Sequence, residues 1–397
     1  MEGSHAVLIT NEKEAELFLK QIGVDPAAYP YLIPKALFRC IKLKNIPCRA
    51  ANIIKQEMLA RGGDAAVKRE ALSFQGVTDV LLMGTLKQYE LLVNKLDVQV
   101  FGCKKISQEI RRLLQAEKPR AFTMELANQK TLELGKKTLI MGILNITPDS
   151  FSDGGLYLGP EQAIKRGLEM IEEGADIIDI GGASSRPNSI MADADEEINR
   201  LLPVVKALAR EQIPISVDTW RSRVADLALD NGANFINDIG ALKMDGDLLG
   251  VLLKHRSPVV LMHNRLQIKR GEPYEDLMSD IITELGESVS LAEKAGLAAD
   301  KIIVDPGIGF GKDVGQNRLI IKRLKEIRSL GKPVLLGVSR KRFIGATLAR
   351  EVGERLEGSL ATLVMGIING ADIVRVHDVK ESRLAAAMTD AVIQEHG

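Results

Sequence analysis

The sequence predicts an α/β protein: a (β/α)8 barrel preceded by a small N-terminal α/β domain. Three observations predict it. From residue 138 onward, apolar runs of strand length alternate with stretches of helical spacing, and the alternation occurs eight times. The eight units fill about 260 residues, the size of a closed barrel, whereas the alternative, an open doubly wound sheet, usually stops at about five or six strands. Almost every apolar run also ends in a polar side chain, where barrels of this kind hold ligands.

The first 120 residues predict the smaller domain. Residues 6–10 read as a short strand and 11–22 as a helix capped by Asn11. Residues 34–75 read as helix in two or three pieces, broken near Pro47 and Gly62-Gly63. Residues 80–84 and 98–101 read as strands, with helices over 86–96 and 106–116. The polar, turn-rich stretch 121–137 reads as a linker, and the barrel fills 138–397.

The barrel strands are expected at 139–145, 176–180, 214–218, 235–237, 258–262, 301–304, 334–338 and 373–376. The helices after them start near 160, 194, 221, 246, 275, 315, 355 and 379. Gly174, Gly232 and Gly370 each precede an alanine just before a strand, which suits the left-handed residue that closes a helix.

Charge and composition narrow the function. Lys plus Arg total 53 and Asp plus Glu total 53, so a general nucleic-acid or acidic-membrane surface is not expected. No apolar run reaches the ~18 residues of a membrane span, and the N-terminus has no secretory pattern. Three cysteines, Cys40, Cys48 and Cys103, fit a reducing cytoplasm better than a disulfide framework. Neither they nor the five histidines have zinc-site spacing.

The strand ends carry the chemistry. In order they supply Asn145, Asp179, Asp218, Asn237 with Asp238, His263, Asp305, Ser339, and Arg375 with His377. Any one alone reads equally well as a helix cap. Eight together around one axis read as a site, because buried carboxylates are costly unless a donor-rich ligand pairs them. In the loop at 181–188, small residues let the backbone close on a ligand, and Arg186 offers a forked cation for phosphate. In the loop at 305–312, Asp305 and Phe310 suit a flat heterocycle held edge-on; its glycines lack P-loop spacing. In the loop at 337–345, Arg340, Lys341 and Arg342 lie beside Arg375 and His377 as an anion site.

These stretches resemble dihydropteroate synthase, a TIM-barrel family that binds pterins. The resemblance rests on MGILNITPDSFSDGG (141–155), DIGGASSRP (179–187), SVDT (216–219), ND (237–238), LMH (261–263), DPGIGFGK (305–312), GVSRK (337–341) and RVHDV (375–379). They follow the family's order across the whole barrel. The first 120 or so residues lie outside the resemblance.

The resemblance implies an enzyme that joins 6-hydroxymethyl-7,8-dihydropterin diphosphate to 4-aminobenzoate and releases diphosphate. It implies that Asp218, Asn237, Met262, Asp305, Phe310, Gly337 and Lys341 hold the pterin. Asn145, Ser185, Arg186, Arg375 and His377 would take the diphosphate, with Asn145 also near a Mg2+ ion. Phe151, Pro187, Ser339 and Arg342 would bound the aminobenzoate. Asn145, Lys341, Arg375 and His377 would carry the catalysis. A homodimer through barrel helices is implied too. A methyltetrahydrofolate-dependent methyltransferase and a non-catalytic pterin-binding protein are the alternatives. The second loop departs from the family pattern at Ala183, where a glutamate is usual, and at Asn188. The loop after His263 departs at Asn264-Arg265-Leu266.

Overall fold

The computed structural model describes residues 3–118, 121–146, 159–183 and 193–395. They form two compact units, one holding the residues up to Lys118 together with Glu395 and the other those up to Gln394.

In the first unit, α1 (Glu12–Ile22) starts at Asn11, whose side-chain oxygen accepts from the Glu14 N–H at 3.0 Å. A second helix, α2 (Tyr29–Ala36), leads into strand β1 (Phe38–Pro47), a stretch expected to be helical. Alternation decides it: Ile41 and Leu43 are buried, while Cys40, Lys42 and Lys44 face out. Then come α3 (Cys48–Leu59), β2 (Asp64–Val67), β3 (Val77–Thr85), α4 (Leu86–Leu96) and α5 (Cys103–Ala116). The strands make an antiparallel sheet in the order β1-β3-β2. A core including Ile54, Met58, Tyr89, Leu92 and Ile110 joins α3, α4 and α5 to one face of it. Residues 6–10 and 98–101 form no strand. Leu8, Val98 and Val100 are exposed, and among the described residues no strand pairs with them.

The stretch expected as a linker is a hairpin, β4 (Phe122–Glu125) and β5 (Thr131–Leu134). Its alternation was the missed signal. Met124, Leu132 and Leu134 all point one way and are buried. They pack on the inward residues that open the barrel strands: Leu139, Ile177, Phe235, Val260, Ile303, Leu335 and Ile373. The hairpin therefore closes the bottom of the barrel.

The barrel strands are β6 (Leu139–Asn145), β7 (Ile177–Gly181), β8 (Ile215–Asp218), β9 (Phe235–Asp238), β10 (Val259–Met262), β11 (Ile302–Asp305), β12 (Leu335–Leu336) and β13 (Ile373–Val376). All pair in parallel in the order β11-β10-β9-β8-β7-β6-β13-β12. A parallel bridge from Val304 to Val334 closes the ring. Around it run α6 (Pro160–Glu172), α7 (Ala194–Leu208), α8 (Ser222–Asp230), α9 (Leu248–His255), α10 (Leu277–Lys294), α11 (Val314–Lys322), α13 (Leu356–Ile368) and α14 (Val379–Gln394). The short α12 (Arg342–Leu348) follows Lys341 directly. Among the described residues, no helix is long and apolar enough to cross a membrane.

Candidate active site

Strand alternation builds the site. Residues of one parity, such as Ile178, Ile180, Ile215, Val217, Ile236, Leu261, Val304 and Val374, pack outward under the helices. The other parity points into the barrel. Its lower layer is apolar and meets the hairpin. Its upper layer is Asn145, Asp179, Ser216, Asp218, Asn237, Met262, Asp305, Gly337 and Arg375. The same parity explains two polar strand ends that do not join the site. Asp238 turns outward and accepts from the N–H groups of Gly240 (2.7 Å) and Leu242 (2.6 Å). His263 also turns outward, toward α10.

Arg375 is the hub. Its Nε donates to Asp179 Oδ2 at 2.6 Å and its Nη2 to Asp218 Oδ2 at 2.9 Å. Asn237 Nδ2 donates to the same Asp179 oxygen at 3.0 Å. Asp179 is fully buried, and its Oδ1 has no hydrogen-bond partner among the described residues; neither has the Ser216 hydroxyl beside it. Unpaired buried polar atoms are expensive, so this layer has spare capacity for a polar ligand. Asn145 Oδ1 lies against Gly181, close to Asp218.

Across the hollow, Asp305 Oδ1 accepts from the Gly307 N–H at 2.6 Å. Lys341 Nζ donates to Ile308 O at 2.6 Å and sits 4.5 Å from the centre of the Phe310 ring. Ser339 is buried, and its Oγ lies 3.0 Å from His377 Nδ1. His377 lines a cleft with Lys165, Arg166 and Arg340. Arg340 pairs with Asp378, so it is already engaged. Arg342 is exposed at the start of α12.

These groups feel one another. Burial draws the Lys341 ammonium down to about 8, while Asp305 and Asp218 hold it up and Arg375 pushes it further down. Burial raises the Asp305 carboxyl, against the Gly307 N–H and the cations Lys341, Lys312 and Arg375. Burial likewise raises Asp218, opposed mainly by Arg375 and reinforced by Asp179. Burial works against the charge on Arg375, but Asp179, Asp218 and Asp305 together push its pKa above the usual value.

The structure thus brings Asn145, Asp218, Asn237, Met262, Asp305, Phe310, Gly337, Ser339, Lys341, Arg375 and His377 to one end of the barrel. Phe151, Ser185, Arg186 and Pro187 lie outside the described residues. Asp179 was expected among the polar strand ends that read as a site, with no role of its own; its inward parity sets it against Arg375. Lys312 was dismissed with the P-loop pattern, yet burial draws its pKa down to about 7 beneath the site.

A chain with this arrangement has relatives of known kind. Residues 141–377 match the family described as pterin binding enzymes. The dihydropteroate synthase of Clostridium beijerinckii is 48% identical over 267 residues, spanning 67% of this chain and 98% of its own length. A crystal structure of dihydropteroate synthase from Clostridium difficile, in the presence of pteroic acid, is 47% identical with a TM-score of 0.63, covering 66% of this chain and 100% of that one. A Halobacterium salinarum protein described as "Probable bifunctional folylpolyglutamate synthase/dihydropteroate synthase" is 36% identical over 379 residues, covering 94% of this chain and 45% of its own. The family match spans the barrel lumen and every strand that feeds it, so the chain belongs to the pterin binding enzymes as a dihydropteroate synthase.

Proposed function

We propose that the barrel hollow holds the dihydropterin ring between acids and cations, with its diphosphate tail toward His377. The single observation that carries this is the Arg375 guanidinium held between Asp179 and Asp218, opposite Asp305 and Lys341. Asp305 accepts from ring N–H and amino groups, a paired contact that reads the heterocycle edge. Asp218 and Asn237 serve the opposite edge. Lys341 donates to ring acceptors, and Met262 and Phe310 pack on the faces. Arg375, His377 and Asn145 receive the diphosphate, together with Ser185 and Arg186. Phe151, Pro187, Ser339 and Arg342 bound the aminobenzoate. Binding of a pterin diphosphate by the wild type, lost in Asp305→Ala with the fold intact, tests the assignment. Undiminished binding by that variant would remove it.

The chemistry asks for little covalent help. The bond from the exocyclic carbon to the diphosphate oxygen breaks, and its electron pair leaves with the diphosphate. The aniline nitrogen of aminobenzoate bonds to that carbon and then gives up a proton. The site stabilises the departing negative charge and keeps water from the cationic carbon. A Mg2+ ion fits the oxygen donor at Asn145, since it prefers oxygen ligands and shares its shell with phosphate. When bound, such an ion supplies charge neutralisation.

Homodimerisation is supported by an apolar stripe on the outer face of α14. Leu384, Met388 and Val392 recur at helical spacing and are exposed, beside exposed Met365 and Ile368 of α13. Sedimentation of Leu384→Glu/Met388→Glu should give a monomer where the wild type gives a dimer. Three unpaired cysteines favour a cytoplasmic setting. For the first unit, the Halobacterium match is the specific observation. It spans 94% of this chain, so it takes in most of this unit, whereas the Clostridium beijerinckii match spans 67%. That supports a docking role toward an enzyme that glutamylates folates. Co-sedimentation with such an enzyme should need the unit.

A further inference from the structure

Below the 305–312 loop lies a half-buried amine that the reaction does not use. Lys312 turns back under its own loop instead of out to solvent. Its Nζ lies 2.9 Å from Gly307 O, 3.0 Å from Phe310 O, 3.3 Å from His263 O and 3.0 Å from His263 Nδ1. Three protons are shared among four acceptors, so the ammonium is saturated. Two of these acceptors belong to the turn after β11 and two to the end of β10. The amine therefore ties two loops together.

The tie is tight. Gly307 has φ +69°, and a Cβ there would come within 1.8 Å of His263 O. His263 Nδ1 accepts from Lys312, which puts the ring proton on Nε2, facing Glu284 Oε2 at 3.1 Å. Glu284 in turn accepts from Arg265 Nη2 at 2.5 Å, and Arg265 lies 4.0 Å above the Tyr274 ring. The amine is thus anchored through His263 and Glu284 to α10. What it steadies is the furniture of the hollow. The turn supplies the Gly307 N–H to Asp305, the Ile308 carbonyl to Lys341 and the Phe310 ring beside it.

We propose that Lys312 is a positioning residue for the pterin substrate: its ammonium clips the 307–310 turn against His263 and so fixes Asp305, Phe310 and Lys341. A methionine would fill the same space without the cost of burying charge, so what the amine adds is geometry. The inference rests on the pterin reading of the hollow.

The test uses the full chain and two variants. Lys312→Met removes the clip. Gly307→Ala keeps the amine but pushes the same turn away from His263, its Cβ coming within 3.3 Å of Lys312 Nζ. Each should raise KM for the pterin diphosphate roughly tenfold or more, the scale of one lost charge-assisted contact, with KM for aminobenzoate within about twofold. Folding is followed by thermal unfolding of each variant. Equal losses for both substrates, or an unchanged pterin KM in a folded variant, would overturn the proposal. If Lys312→Met does not fold, Lys312→Gln, which is shorter and carries no ammonium, decides by the same criteria. Failure of the wild type to bind a pterin diphosphate would strike the underlying reading first, and this one with it.

Discussion

Arg375 Nε sits 2.6 Å from Asp179 Oδ2, a carboxylate with no exposed surface. This pair fixes the plane of the guanidinium, leaving Nη2 for Asp218. Asp179→Asn keeps the shape and removes the charge that holds the fork. Its kcat/KM should fall roughly tenfold or more, the scale of a charge-assisted bond. Arg375→Lys should not restore activity lost in Arg375→Ala, since an ammonium cannot bridge two carboxylates as a planar fork does. Steady-state kinetics on the three variants decide it.

Asp305 is buried and receives the Gly307 N–H on one oxygen. Asp305→Ala and Arg375→Ala should each lower turnover by roughly 100- to 1000-fold, the usual cost of one lost transition-state contact. Near-normal turnover in either variant would remove that residue's role.

Lys341 is charged below about pH 8 and neutral above it. The kcat/KM for the pterin substrate should therefore fall as pH rises through about 8. Lys312, drawn to about 7, adds an earlier decline through its loop. Arginine does not titrate in this range, so the residual activity of Lys341→Arg should lack the later fall. A pH–rate profile that stays flat to pH 9.5, about 1.5 above that point, would contradict the assignment.

His263 bears on stability instead. Burial lowers its pKa from 6.5 to about 4. The unfolded chain takes up this proton first on acidification, so stability falls as pH drops from about 6.5 to about 4. The loss is on the order of 2–3 kcal/mol. Glu284, held below the usual carboxylate range, loses its contribution only at lower pH, below 4.5. Urea unfolding at pH 7 and pH 5, the latter inside the His263 window, should show the first loss, and His263→Gln should flatten it.

Met124 is fully buried in the hairpin below the barrel. Met124→Ala should cost roughly 2–5 kcal/mol of stability while leaving both KM values unchanged, because the site is built on the opposite layer. Calorimetry together with kinetics on this variant checks both halves.

Much of this was legible in residue order. The barrel strands and most helix starts fell within two residues of expectation, because each strand is a run of β-branched or aliphatic residues bounded by Gly-Ala or a polar end. The first unit was less legible. β1 carries Lys42, Lys44 and Asn45 on its open face, so its alternation looks like helical polarity. The 121–137 stretch was misread because Thr123, Glu125, Thr131 and Glu133 interleave its apolar residues and lower its apparent hydrophobicity. In the site, motifs picked out the residues gathered at one end of the barrel. Asp179 and Lys312 stand inside those motifs but were given no role of their own, because they act by holding residues 196 and 49 positions away along the chain.

The hairpin beneath the strands has a kinetic corollary. With Met124, Leu132 and Leu134 stoppering one end, traffic has a single doorway. A heterocycle seated deepest, as proposed for this hollow, would have to enter ahead of its co-substrate.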